Sequence, residues 1–325
     1  MRAIREVEVA VVGGAGFLGS HLVEHLVEDR GCSVTVYDNL CVGRKEFVHK
    51  KASFVHCDIT KSESFLARMF TRRRTKFVFN YAAWPYIPDS FVRPLHVFDV
   101  NATGAMYVIN AAQESGAVGI LQMSSAEIYG DEAKRAKLSE DARIIPHSTY
   151  GVAKAAVDNY VQVRWREAKT PCIALRQFNC VGERETHPYV VPEVISQCNG
   201  YVAGSPLVIR LGNNSFRDFL YAGDAVRMAV ELLERGRFGE VYNMGSEGGI
   251  LVYTLAKLIA SLMGVHDVDV ITDPSRIRPW EIWRLQSDNA KLYSVVKARP
   301  TVGLHQALER TIAWYRVNDS RWPWE

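Results

Sequence analysis

Tyr150 and Lys154 stand four positions apart, a spacing that puts a phenol and an ammonium on one face of a helix. The ammonium can then lower the phenol pKa, and a phenolate stabilised in this way is a general base for an alcohol at neutral pH. Tyr253 with Lys257 and Tyr293 with Lys297 repeat the spacing, so context must choose among the three. Context selects the first, because Tyr150 opens a long helical stretch that follows the fifth strand-like run. That run ends on Ser124 and Ser125, and a serine at a strand end can bridge a substrate hydroxyl and Tyr150.

A second constellation lies near the start of the chain. Gly13, Gly16 and Gly19 punctuate a loop between a short apolar run and a helical pattern. Strand, glycine loop and helix in this order suit a dinucleotide. The glycines allow a tight turn and close approach to a pyrophosphate, and the helix offers its free amides and positive end. Asp38 follows Gly19 by 19 residues, at the end of the second strand-like run. A carboxylate there accepts the ribose hydroxyls and repels a 2′-phosphate, which favours NAD. Arg44 and Lys45 keep NADP open. Asp58, after the third run, reaches the adenine or caps the next helix; the two readings weigh evenly.

Positioning these groups requires a particular order of elements. Strand-like runs at 7–12, 33–37, 54–57, 77–81, 120–124 and 172–178 alternate with helical patterns at 17–28, 94–115 and 150–169. Such alternation predicts a Rossmann-type, doubly wound parallel sheet covered on both faces. After Phe178 loops lengthen and turn residues accumulate, so a smaller, interleaved C-terminal α/β unit is expected. The expected division is residues 1–178 with about 217–245 for the cofactor, and 179–216 with 246–325 for a substrate.

Composition sets the outer limits. The 325 residues carry 39 Lys+Arg against 36 Asp+Glu, a net charge of +3, with 48% apolar and 23% charged residues. That is an ordinary globular composition, long enough for about two domains, and it gives no reason to expect nucleic acid. The six cysteines are scattered, so no metal site is expected and the thiols are read as reduced. No stretch reaches the roughly 18 apolar residues of a membrane helix, and no signal peptide is apparent; a cytoplasmic protein away from membranes is expected.

With these residues in view, the chain resembles the extended short-chain dehydrogenase/reductase family, and within it the NAD-dependent nucleotide-sugar epimerases and dehydratases. The resemblance runs nearly end to end, through residues 13–19, Asp38, Asn80 to Ala83, Asn101 to Gly104, Ser125 to Gly130, Tyr150 with Lys154, Phe178–Asn179, Arg217 to Phe219 and Arg278–Pro279. It implies a catalytic Ser125, Tyr150 and Lys154, and NAD contacts that extend to Phe17, Leu18, Asn39, Ile59, Ala82, Ala83 and Asn101. It also implies that Asn179, Arg217 and Arg278 hold the diphosphate of a nucleotide sugar, that Trp84 borders the sugar, and that the chain is a homodimer packed through the helical stretches at 94–115 and 150–169. The expected reaction passes through a 4-keto sugar. Glu127 matches the carboxylate that removes the C5 proton in 4,6-dehydratases. Ala126, where dehydratases usually carry an Asp or Ser that protonates the leaving C6 hydroxyl, matches 4-epimerases acting on UDP-glucose or UDP-glucuronate. A 4,6-dehydratase-like reaction is the first expectation and a 4-epimerase the second. A UDP-glucuronate decarboxylase, a 4-keto-sugar reductase and a non-catalytic nucleotide-sugar-binding protein follow.

Overall fold

The computed structural model describes residues 2–134, 137–186, 188–202 and 205–318. The tail with Trp322 and Trp324 lies outside them. Six strands open the main sheet: β1 (Glu8–Val12), β2 (Ser33–Asp38), β3 (Ser53–His56), β4 (Phe77–Asn80), β5 (Gly119–Ser125) and β6 (Cys172–Gln177). The strand Val241–Met244 completes it beyond β6. All neighbours are parallel, in the order β3-β2-β1-β4-β5-β6 and then Val241–Met244. The order reverses between β1 and β4, and a crevice opens outside the strand ends at such a point.

Both faces of the sheet are buried, as its unbroken apolar strands require. Successive side chains of β1 point opposite ways. Val9 and Val11 pack with Leu22 and Leu26 of α1 (Phe17–Glu28), and Ala10 and Val12 pack with Leu66 and Phe70 of α2 (Glu63–Arg73). The second face is completed by α5 (Ala105–Glu114) and α6 (Thr149–Ala168). A separate core holds α7 (Val190–Asn199), the helices Val252–Leu262 and Leu304–Asn318, and the paired strands Leu207–Leu211 and Val268–Thr272. The helix α8 (Ala222–Arg235) returns to the first face of the main sheet.

One expectation needs correcting. Residues 94–115 do not form one regular helix. After the short α3 (Asp89–Val92) comes α4 (Pro94–Phe98), and a π-turn, Asp99–Gly104, separates it from α5. Inside that turn the buried Asn101 donates from Nδ2 to the Val97 and Trp84 carbonyls, both at 2.9 Å. A side chain that bonds the carbonyl four residues back competes with the helix's own ladder and widens it locally. No described helix is long and apolar enough to cross a membrane.

Candidate active site

The glycine loop sits at the exit of β1. Gly13 has φ +78°, which side-chain-bearing residues rarely adopt, and a Cβ there would collide with the Ala82 amide. A Cβ on Gly19 would collide with the Gly13 carbonyl oxygen, so this glycine lets α1 pack against the loop. Gly16 is different: the nearest protein atom to its Cβ position is the Gly13 oxygen at 3.4 Å. A side chain there would instead stand in the cleft, which Gly16 lines. No side chain caps α1 and no acid occupies its first turn, so its leading amides face an anion site unopposed. These features fit a dinucleotide pyrophosphate.

At the end of β2, Asp38 accepts from the Ala15 amide at 3.0 Å and the Leu40 amide at 2.8 Å. Burial raises its pKa, and the two amides pull it back. Lys45 lies over the Phe54 ring at 3.2 Å. Asp58 caps the turn Ile59–Lys61, accepting from the Thr60 amide and hydroxyl, and it also lines the cleft. Phe17, Leu18, Asn39, Ile59, Ala82 and Ala83 line the same cleft, which encloses about 820 Å³.

Two candidates do not line it. Trp84 is turned away, its Nε1 donating to Asp89 at 2.6 Å and its ring edge-on to His96. Asn101 spends both polar atoms on the π-turn and on the Trp84 backbone. Together they brace the segment after β4. The Trp84 side chain points to the α3–α4 layer rather than toward a sugar site, because an indole buried on one side needs a partner for its N–H.

The candidate reacting groups converge on the far side of the crevice. Ser125 ends β5, and Ser148 caps α6 by accepting from the Gly151 amide at 3.1 Å, which fixes Tyr150 in the first turn. The Ser125 hydroxyl faces the Tyr150 phenol and holds its pKa down somewhat, and it accepts from the Glu127 amide at 3.2 Å. Glu127 lines the cleft, and its charge acts on both Tyr150 and Arg217. Lys154 Nζ is 5.6 Å from the Tyr150 ring centre and donates to the Met123 carbonyl at 3.1 Å.

Here a second expectation is corrected. Lys154 does not bring the Tyr150 pKa down. Burial pushes the phenol up, Glu127 adds to that, and the Ser125 hydroxyl opposes only part of it. Burial also depresses Lys154, to about 8, against the pull of Asp158 one turn on. Desolvation exceeds the pairwise attraction because both groups are enclosed.

The opposite wall of the cleft adjoins the smaller core. Asn179, Arg217 and Arg278 all line the cleft. Arg217 is buried and pairs with Glu281 at 2.6 Å, and burial lowers its pKa while Glu281 raises it. Glu281 also accepts from Asn213. The sequence reading missed Glu281, although a carboxylate three residues past Arg278 was a usable signal. It also missed Tyr86, Glu185 and Tyr189, which come from loops with no motif, and Glu193 in the first turn of α7. Among the described residues, no three His, Cys, Asp or Glu side chains form a group that could hold a metal.

Known proteins resemble this chain over most of its length. Residues 9–245 match the family described as the NAD dependent epimerase/dehydratase family. A Mus musculus protein named dTDP-D-glucose 4,6-dehydratase is 30% identical over 97% of this chain and 90% of its own length. A Lacticaseibacillus casei UDP-glucose 4-epimerase is also 30% identical, over 74% of this chain and 77% of its own. The structure of a Thermotoga maritima UDP-glucose 4-epimerase, determined with UDP-glucose, superposes with a TM-score of 0.87 at 27% identity, covering 95% of this chain and 99% of that one. With its glycine loop, its Ser125–Tyr150–Lys154 set and this match over most of its length, the chain belongs to the NAD-dependent epimerase/dehydratase family.

Proposed function

We propose that the chain binds NAD and a nucleotide-diphosphate sugar and transforms the sugar through oxidation at C4, in a 4,6-dehydratase-like reaction. The observation that carries this is the shared cleft: Ser125, Glu127 and Tyr150 line it together with the glycine loop, Arg217 and Arg278. Phe17, Leu18, Asp38, Asn39, Asp58, Ile59, Ala82 and Ala83 would hold the dinucleotide, with Asp38 toward the ribose hydroxyls. Bound NAD would supply the acceptor for the C4 hydride and return it later in the cycle. Lys45, drawn onto Phe54, offers little to a 2′-phosphate, which supports NAD over NADP.

Tyr150, with Ser125, takes the proton of the C4 hydroxyl, and Lys154, one helical turn on and lining the same cleft, holds the dinucleotide beside it. A C4 ketone acidifies C5–H, and Glu127 is the carboxylate available to remove that proton. Asn179, Arg217 and Arg278 hold the diphosphate, where guanidinium groups pair with phosphate oxygens.

A 4-epimerase is the second reading, and Ala126 favours it: this cleft residue puts no acid beside Glu127 for a departing C6 hydroxyl. Residues 1–178 with about 217–245 would form the cofactor unit, and 179–216 with 246–325 the nucleotide-sugar unit. We also propose a homodimer in the cytoplasm. Leu95 is 82% exposed on α4, and Val152 and Val163 are exposed on α6, so these helices present apolar surface to a second copy.

Substitution Tyr150→Phe tests the enzymatic reading. Turnover should fall by about 10²- to 10⁴-fold with nucleotide-sugar affinity retained. Turnover at the wild-type rate would overturn the assignment.

A further inference from the structure

The run Glu183, Arg184, Glu185 joins the strand Asn179–Val181 to α7, and two of its three charges are satisfied. The Glu183 carboxylate accepts from the Tyr221 hydroxyl at 3.0 Å, and Arg184 pairs with Glu24 of α1 at 2.7 Å. Glu185 is the exception. It is 4% exposed, it lines the cleft, and its Oε2 is buried with no hydrogen-bond partner among the described residues.

The surroundings of Glu185 are neutral. The titratable groups facing it are Cys180 on the strand Asn179–Val181, Tyr189 ahead of α7 and Tyr315 on the helix Leu304–Asn318. Burial raises all three, so none carries charge at neutral pH. On the α1 side, His21 is depressed to about 4 and is neutral as well. An isolated carboxylate in such a setting is costly, and burial accordingly lifts Glu185 well above the usual carboxylate range. A protonated carboxyl group is a hydrogen-bond donor.

The loop is fastened to the phosphate-facing helix. His21 Nε2 donates to the Glu183 carbonyl at 2.7 Å, and a Cβ on Gly182 would lie 3.6 Å from the Phe17 ring at the start of α1. We propose that the Glu185 carboxyl group donates a hydrogen bond to an acceptor oxygen of the bound dinucleotide, a phosphate oxygen or the nicotinamide carboxamide oxygen. This rests on the NAD reading above. A neutral donor approaches a phosphate without repulsion, whereas ionised Glu185 repels it. Dinucleotide affinity therefore weakens as pH rises.

The test is calorimetric titration of the stripped full-length protein with NAD and with ADP-ribose, from neutral to alkaline pH. Glu185→Gln keeps a neutral donor and should bind NAD within about threefold of wild type while losing the alkaline weakening. Glu185→Leu should bind about 10- to 100-fold more weakly, the range for one hydrogen bond to a charged group. If Glu185→Leu weakens both ligands the partner is a phosphate oxygen, and if it weakens NAD alone the partner is the carboxamide. Either result supports the donor. Glu185→Leu binding both ligands like wild type, or Glu185→Gln weakening as far as Glu185→Leu, overturns the donor and leaves the NAD reading intact. Wild-type protein that binds neither ligand overturns the NAD reading and this proposal with it. Circular dichroism of each variant separates loss of binding from loss of fold.

Discussion

Two arginines in this protein are paired with carboxylates, buried to similar extents, and differ in what they face. Arg176 and Asp158 meet at 2.7 Å with side chains 3% and 1% exposed, and Arg217 and Glu281 meet at 2.6 Å with both 8% exposed. The first pair is enclosed behind the catalytic strand. Arg176 also donates to the Tyr129 hydroxyl and the Glu140 carbonyl, and Tyr129 donates to Asn243, so every neighbour is protein. The second pair lines the cleft, where the proposed function has a diphosphate take the place of Glu281 on the guanidinium. A buried ion pair adds little net stability, because desolvation offsets its attraction. Its use is decided by whether a ligand can reach it: the first fixes the wall on which Ser125 and Lys154 stand, and the second, under the proposed function, holds an arginine for phosphate.

The largest expected effect comes from breaking the enclosed pair. Asp158→Ala leaves Arg176 buried and uncompensated, and stability in urea should fall by about 3–5 kcal/mol. Glu281→Ala should cost about 1–2 kcal/mol, because its arginine faces the cleft. Equal losses would show that the two pairs do the same job.

Next in size is the effect on binding. Arg217→Ala should raise KM for the nucleotide sugar by about 10- to 100-fold, with Lys restoring only part because it cannot pair bidentately. Arg176→Lys should leave KM unchanged and lower stability. Steady-state kinetics beside a thermal melt checks both.

The smallest effect is on pH dependence. Lys154, at about 8, loses its proton as pH rises through that value, so kcat/KM should decline above about pH 8. Asp158 raises the Lys154 pKa, so Asp158→Asn should move that alkaline limb to lower pH. Glu281→Gln should leave the limb in place. A limb that stays put in Asp158→Asn would detach the enclosed pair from the chemistry.

The same contrast explains what could be read from the sequence. The glycine loop, Asp38 and the Tyr150–Lys154 pair are local features: strand, turn and helix follow one another, and spacing alone places the groups. The parallel sheet was legible for the same reason, since its strands are continuous apolar runs. The Arg217–Glu281 pair joins residues 64 apart, and Glu185 acquires its character from Cys180, Tyr189 and Tyr315, which only the tertiary fold brings near. The π-turn was hidden because Asn101 bonds the Trp84 backbone across 17 residues, and Trp84 was misplaced because its indole turns to Asp89. The Tyr150 pKa was misjudged because helical spacing reveals the lysine and not the burial.

The most direct test of the central claim is mass spectrometry of the product formed from dTDP-glucose or UDP-glucose in D₂O. A 4,6-dehydratase-like reaction with Glu127 as the C5 base gives loss of one water with one deuterium gained from solvent, and Glu127→Gln abolishes both. An isomer of unchanged mass with no deuterium would contradict it, make the protein a 4-epimerase, and return Glu127 to a structural role.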